Sequence, residues 1–173
     1  MTDTRAGDTA HARAQLSDAD AVSSWLASAS PRPKDAYDDW GLGRPGMLRG
    51  GQIFDAVRVR PELVHAAVGS STPADVATAL ARRFSAGPVI CDRGIWYYAL
   101  VPPGTATSWR SALGTVRGRG AWIGVPALDR THQTHPVQLH WIVTPRRPRR
   151  LCDPDAVAEL LRVGQSQLEG ATR

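Results

Sequence analysis

Apolar and polar positions recur along this chain with two different periods, and those periods divide it into elements. From Ser17 to Ala29 the apolar residues Ala21, Val22, Trp25, Leu26 and Ala29 fall at helical spacing. Ser17 stands at the capping position, and Asp18 and Asp20 occupy the first turn, where the helix dipole favours carboxylates. Pro31 and Pro33 then stop the pattern. Residues 1–16 show no period and read as a disordered arm. A Gly-rich stretch from Gly41 to Gly51, carrying Arg44 and Arg49, reads as a loop. It leads into Gln52–Val59, which reads as a strand.

Two helices are expected next, Pro61–Val68 and Ala74–Ser85. The second has Thr72 at its cap, Pro73 at its first position and Asp75 in its first turn. Pro88–Cys91 reads as a strand, followed by a turn at Asp92-Arg93-Gly94. Ile95–Val101, Ala121–Val125 and Val137–Val143 are strands by their content of Trp, Tyr, Ile and Val. Pro145–Arg150 is a Pro/Arg linker. Asp153 caps a last helix that opens with Pro154, buries Val157, Leu160 and Leu161, and ends at Gly164, leaving a loose tail over 165–173. This order predicts an α+β fold: one domain over 17–164, a two-layer sandwich whose largely antiparallel sheet carries helices packed on one side. Val76, Leu80, Phe84, Val89, Ile90, Ile123, Val125, Ile142, Leu160 and Leu161 are expected in a single core.

Composition narrows the class. With 173 residues, 42% of them hydrophobic, the chain is long enough for one domain with a real core. No apolar run approaches the length needed to span a bilayer, and the polar N-terminus carries no export signal, so a soluble, cytoplasmic protein without a membrane partner is expected. The two cysteines, Cys91 and Cys152, make no disulfide framework and read as small buried thiols.

Charge changes the picture more. Residues 1–50 are close to neutral, but from Arg93 to Arg150 nine arginines face one acid, Asp129. An excess of eight positive charges in one segment attracts polyanions, of which nucleic acid is the usual one; a solvated basic face is the alternative. The arginines interleave with Trp96, Tyr97, Tyr98, Trp109, Trp122 and Trp141. Aromatic faces stack on bases and guanidinium groups pair with phosphate, which suits single-stranded nucleic acid, although strand aromatics are commonly core. Alternation puts Trp96 and Tyr98 on one face of their strand and Tyr97 on the other.

Other chemistry is poorly marked. The sequence has no Gly-x-Ser-x-Gly elbow and no P-loop lysine pattern; its one lysine is Lys34. Gly41–Gly46 precedes a strand, so it lacks the helix N-terminus of a phosphate cradle. His132, His135 and His140, with Asp129 nearby, are ligand types for zinc, but no cysteine pair joins them; they read as a polar loop and no metal site is expected.

Three blocks carry a family resemblance. Gln52-Ile-Phe-Asp-Ala-Val-Arg-Val59 resembles the apolar strand bearing the first metal-binding acids of bifunctional DNA primase/polymerase N-terminal domains, of the archaeo-eukaryotic primase superfamily. Gly94–Gly104 resembles that family's strand ending in Pro-Pro-Gly, and Val116–Pro126 its later Gly-rich turn and strand. The likeness spans roughly residues 38 to 145 and is nearest to small actinobacterial proteins with degenerate versions of the domain. The family clamps two metal ions with paired carboxylates. Here Ala56 and Val57 follow Asp55, no histidine lies in Arg93–Tyr97, and Thr115 stands where a third acid is expected. The resemblance therefore implies a domain that binds nucleic acid or a nucleotide without turnover, with Asp55 a possible catalytic remnant. No cofactor is implied, and Mg²⁺ or Mn²⁺ only for an active cleft. The expected contacts are Arg117 and Arg119 in the Gly-rich turn, together with Arg110, while Arg146, Arg147, Arg149 and Arg150 form a second, looser patch. A protein–protein adaptor using the vestigial cleft is the alternative, and an active primase/polymerase the third reading.

Overall fold

The computed structural model describes residues 4–134 and 138–172, with side chains described from residue 13 onward. Helix α1 spans Thr4–Ala27 and so begins well before Ser17. Ala6, Ala10, Ala12 and Ala14 are strong helix formers, which lets helical backbone extend through residues that carry no apolar stripe. Among the side chains described, it is buried through Val22, Leu26 and Ala27. Pro33 does not end a helix but begins one, α2 (Pro33–Gly41), at a first-turn position where its missing N–H costs nothing. The Gly-rich stretch contains a strand as well, β1 (Gly46–Arg49). Then follow β2 (Asp55–Val59), α3 (Pro61–Val68) and α4 (Pro73–Arg83), with Thr72 and Pro73 opening α4 as its sequence predicts.

Strands β3 (Val89–Asp92) and β4 (Trp96–Val101) form a hairpin, followed by a single turn of helix, α5 (Thr105–Ser108). Strands β5 (Gly114–Arg117), β6 (Trp122–Val125) and β7 (Leu139–Val143) complete the β content. Val137, the expected start of β7, lies outside the described residues. Helix α6 runs Pro154–Ala171. Asp153 caps it, its carboxylate accepting the Asp155 N–H at 2.9 Å. It continues through Gly164, so residues 165–171 are helical rather than loose. Gly164 is no terminator: it packs so closely on α3 that a Cβ there would sit 2.1 Å from the Leu63 carbonyl oxygen.

The main sheet has the order β5-β2-β4-β3-β7, and every neighbouring pair is antiparallel. This is an α+β fold with helices packed on a sheet. Period-two alternation sorts its side chains. Val57, Val59, Tyr97, Ala99 and Val101 meet Leu63, Val76, Leu80, Leu160 and Leu161 of α3, α4 and α6. Ala56, Ile90 and Leu100 face the other way, toward α1 and a separate two-stranded ribbon of β1 and β6. In that ribbon Leu48 pairs with Ile123, and both point inward. The expected single core is therefore two. Ile90, Ile123 and Val125 belong to the ribbon side, and the remaining seven expected residues to the helix side. No helix among the described residues is long and apolar enough to cross a membrane.

Candidate functional site

The aromatics of the basic segment separate by burial. Trp141 is fully buried and donates its Nε1–H to the Pro126 carbonyl at 3.1 Å. Trp109 is half-buried and donates to the carbonyls of Ser111 and Gly114. Tyr97 is buried on the helix side, where its hydroxyl meets His65 Nε2 at 3.0 Å. Trp122 is different: it is 47% exposed. It lies on the outer face of the ribbon in register with Arg49, whose guanidinium sits 5.0 Å from the Trp122 ring centre. Such stacking holds an otherwise mobile arginine in one orientation.

Arg49 stands between two surface grooves. The larger, about 400 Å³, includes Arg32, Asp35, Asp39, Met47 and Trp122. Its charges are already balanced, because Arg32 pairs with Asp35 at 2.9 Å and Asp39 with Arg44 at 2.6 Å. The second, about 320 Å³, is lined by Arg49, Gln52, Arg119, Gly120 and Trp122 and contains no carboxylate. That groove joins two cations, neither in an ion pair among the described residues, to an open indole, the combination that phosphate and a stacked base require. Arg49 was passed over in sequence because it sits in a Gly-rich run, and its partner Trp122 lies far along the chain.

The glycines around this groove serve close packing. A Cβ on Gly50 would lie 2.5 Å from the Gly118 carbonyl oxygen, and one on Gly51 (φ +80°) 2.8 Å from Arg119 Cα. They let the 50–52 and 118–120 turns pack on each other, which fixes Arg49 and Arg119 side by side. Gly120 alone, at φ +86°, opens to solvent.

The other expected contacts do not gather here. Arg117 is half-buried at the end of edge strand β5. Arg110 is exposed by α5 and donates to the carbonyls of Thr107 and Trp109. Arg146, Arg147, Arg149 and Arg150 are exposed on the loop leaving β7, the opposite edge of the sheet, and Arg150 Nε is tied to the Ser85 carbonyl at 2.9 Å.

Asp55 does not face a cleft. It is 1% exposed; one carboxylate oxygen accepts the Ala106 N–H at 3.0 Å, and Gly118 covers the group. The β2 register places Asp55 opposite Val101 and Ala56 opposite Arg117, so Asp55 and Arg117 point to opposite faces of the sheet. Of the histidines, His140 is buried in β7, His132 lies half-buried in a turn, and His135 is outside the described residues. Among the described residues, no three His, Cys, Asp or Glu side chains gather as a metal site. Burial pushes the Cys91 thiol up to about 11 and that of Cys152 higher still, so both are protonated near neutral pH. No protein-family model, curated protein or solved structure matches this chain.

Proposed function

We propose that this chain is a nucleic-acid-binding domain that holds single strands without turning them over. Its site is the groove of Arg49, Arg119 and Trp122, within a primase/polymerase-like scaffold. The observation that carries this reading is the Arg49–Trp122 stack, beside Arg119 in a groove free of carboxylates. A base stacks on the indole and phosphates bridge the two guanidiniums; both contacts are indifferent to sequence. The closed surroundings of Asp55 support binding over catalysis. A carboxylate sealed beneath Ala106 and Gly118 is in no position to share a metal with an incoming triphosphate.

Fluorescence anisotropy of a labelled oligonucleotide tests the site. Trp122→Ala, which leaves the inward ribbon residues in place, is expected to weaken binding about tenfold or more, since one stacked base contributes roughly 1–3 kcal/mol. Binding that is unchanged in Trp122→Ala and in Arg49→Ala removes this groove from the account. Templated nucleotide incorporation with Mg²⁺ or Mn²⁺ that Asp55→Ala abolishes overturns its non-catalytic half.

A further inference from the structure

The ribbon side of the main sheet carries a second cluster, which shares no residue with the ribbon groove. Arg58 on β2 is directly opposite Tyr98 on β4, and its guanidinium lies 4.2 Å from the Trp96 ring centre. On the other side of β2, Thr115 is opposite Arg58 and Arg117 opposite Ala56. Alternation therefore brings Arg58, Trp96, Tyr98 and Arg117 to one face across three adjacent strands.

Two features of this cluster are unfavourable by themselves. Arg58 and Arg117 are like charges at diagonal positions of neighbouring strands, and no ion pair joins either to a carboxylate among the described residues. Arg58 Nε is also buried with no hydrogen-bond partner among the described residues. A buried guanidinium N–H is rarely left unpaired, because it has lost water and gained nothing in return. An acid on this face, Asp92, lies opposite Trp96, and its Oδ1 already accepts from Gln138 Nε2 at 2.7 Å. Both guanidiniums act on the Tyr98 hydroxyl. Burial, then Asp92, pushes that group up, and Arg58 and Arg117 pull it part of the way back. Two cations and a hydroxyl thus share this face, and among the described residues the acid there, Asp92, forms no ion pair with either arginine.

We propose that Arg58, Arg117 and Tyr98 form a phosphate seat, with Trp96 holding the Arg58 guanidinium in place. The phosphate accepts from the Arg58 and Arg117 guanidiniums, and the Tyr98 hydroxyl donates to a third oxygen. A forked guanidinium matches two phosphate oxygens at once, which a lysine ammonium does not. The seat rests on the nucleic-acid reading only for the source of the phosphate, a phosphodiester of a bound strand or the phosphate of a free nucleotide.

Calorimetric titration of the full chain at low ionic strength tests it with three probes: a nucleoside, its 5′-monophosphate, and a dinucleoside phosphate lacking a terminal phosphate. The wild type is expected to bind at least one phosphate-bearing probe about tenfold more tightly than the nucleoside. Preference for the dinucleoside phosphate assigns the seat to a strand, and preference for the monophosphate assigns it to a nucleotide. Arg117→Gln, at a half-buried edge position, and Tyr98→Phe are expected to remove most of that advantage. Arg58→Lys keeps the charge but loses the fork, and is expected to lose most of it too. Thermal melts accompany each variant, so that loss of binding is read only on folded protein. Arg49→Ala with Arg119→Ala is expected to keep phosphate binding at the seat while losing oligonucleotide affinity. Failure of the ribbon groove therefore remains distinguishable from failure of the seat. Equal binding of nucleoside and monophosphate by the wild type, or undiminished phosphate binding by both folded Arg117→Gln and Arg58→Lys, overturns the seat.

Discussion

Gly164 and Gly170 lie on the same helix, α6, and their surroundings predict opposite responses to one substitution. A Cβ at Gly164 would collide with backbone, 2.1 Å from Leu63 O and 2.9 Å from Leu63 C, so α6 and α3 must separate to admit it. At Gly170 a Cβ meets nothing within 4 Å. Gly164→Ala is expected to destabilise by about 1–3 kcal/mol or more, the usual cost of overpacking. Gly170→Ala is expected to stabilise by up to about 1 kcal/mol, the helix-propensity gain. Urea denaturation of the two variants checks this, and equal shifts would mean that α6 does not cross α3 at Gly164. In the sequence, Gly164 looked like a helix end because glycine commonly follows the last turn. Close helix crossing selects the same residue for another reason, and local sequence does not distinguish the two.

At the scale of elements, the two apolar layers predict independent energetics. Leu80 is 1% exposed against the helix side of the sheet, and Ile123 is 4% exposed on the inner face of the ribbon. Leu80→Ala and Ile123→Ala are each expected to cost about 2–5 kcal/mol. The double variant is expected to equal their sum within about 0.5 kcal/mol, since the five-stranded sheet separates them. A larger coupling energy in a double-mutant cycle would contradict the division into two layers. The elements themselves were mostly legible. Thr72-Pro73 and Asp153-Pro154 mark the starts of α4 and α6, and the alternation of Trp96, Tyr97 and Tyr98 separates the faces of β4 correctly. Helix α2 and strand β1 were hidden. A proline begins a helix as readily as it ends one, and β1 is held by pairing with β6 and by the Trp40 Nε1–H to Val125 bond, neither of which is local. Which layer covers which face is likewise a matter of long-range contact, so one core was expected where there are two.

For the whole molecule, the excess of arginine after residue 93 pointed to a polyanion, but a linear sum does not show where the charges meet. The fold sends Arg146–Arg150 to one edge of the sheet and Arg117 to the other, and it brings Arg49 from the nearly neutral N-terminal segment to Arg119 and Trp122. Asp55 was legible as a lone acid on a strand; its seal of Ala106 and Gly118 was not, because both come from segments that follow later strands.

The most direct measurement of the central claim is the salt dependence of single-strand binding, compared between the wild type and the Arg49→Ala, Arg119→Ala double variant. Each phosphate contact contributes about 0.7 to the slope of log K against log salt for single strands. The wild type is expected to bind an oligonucleotide at low salt and to lose affinity steeply as salt rises. The double variant is expected to bind more weakly, with a slope shallower by about 1.4. No binding by the wild type at low salt, or the same affinity and slope in both proteins, would contradict the account.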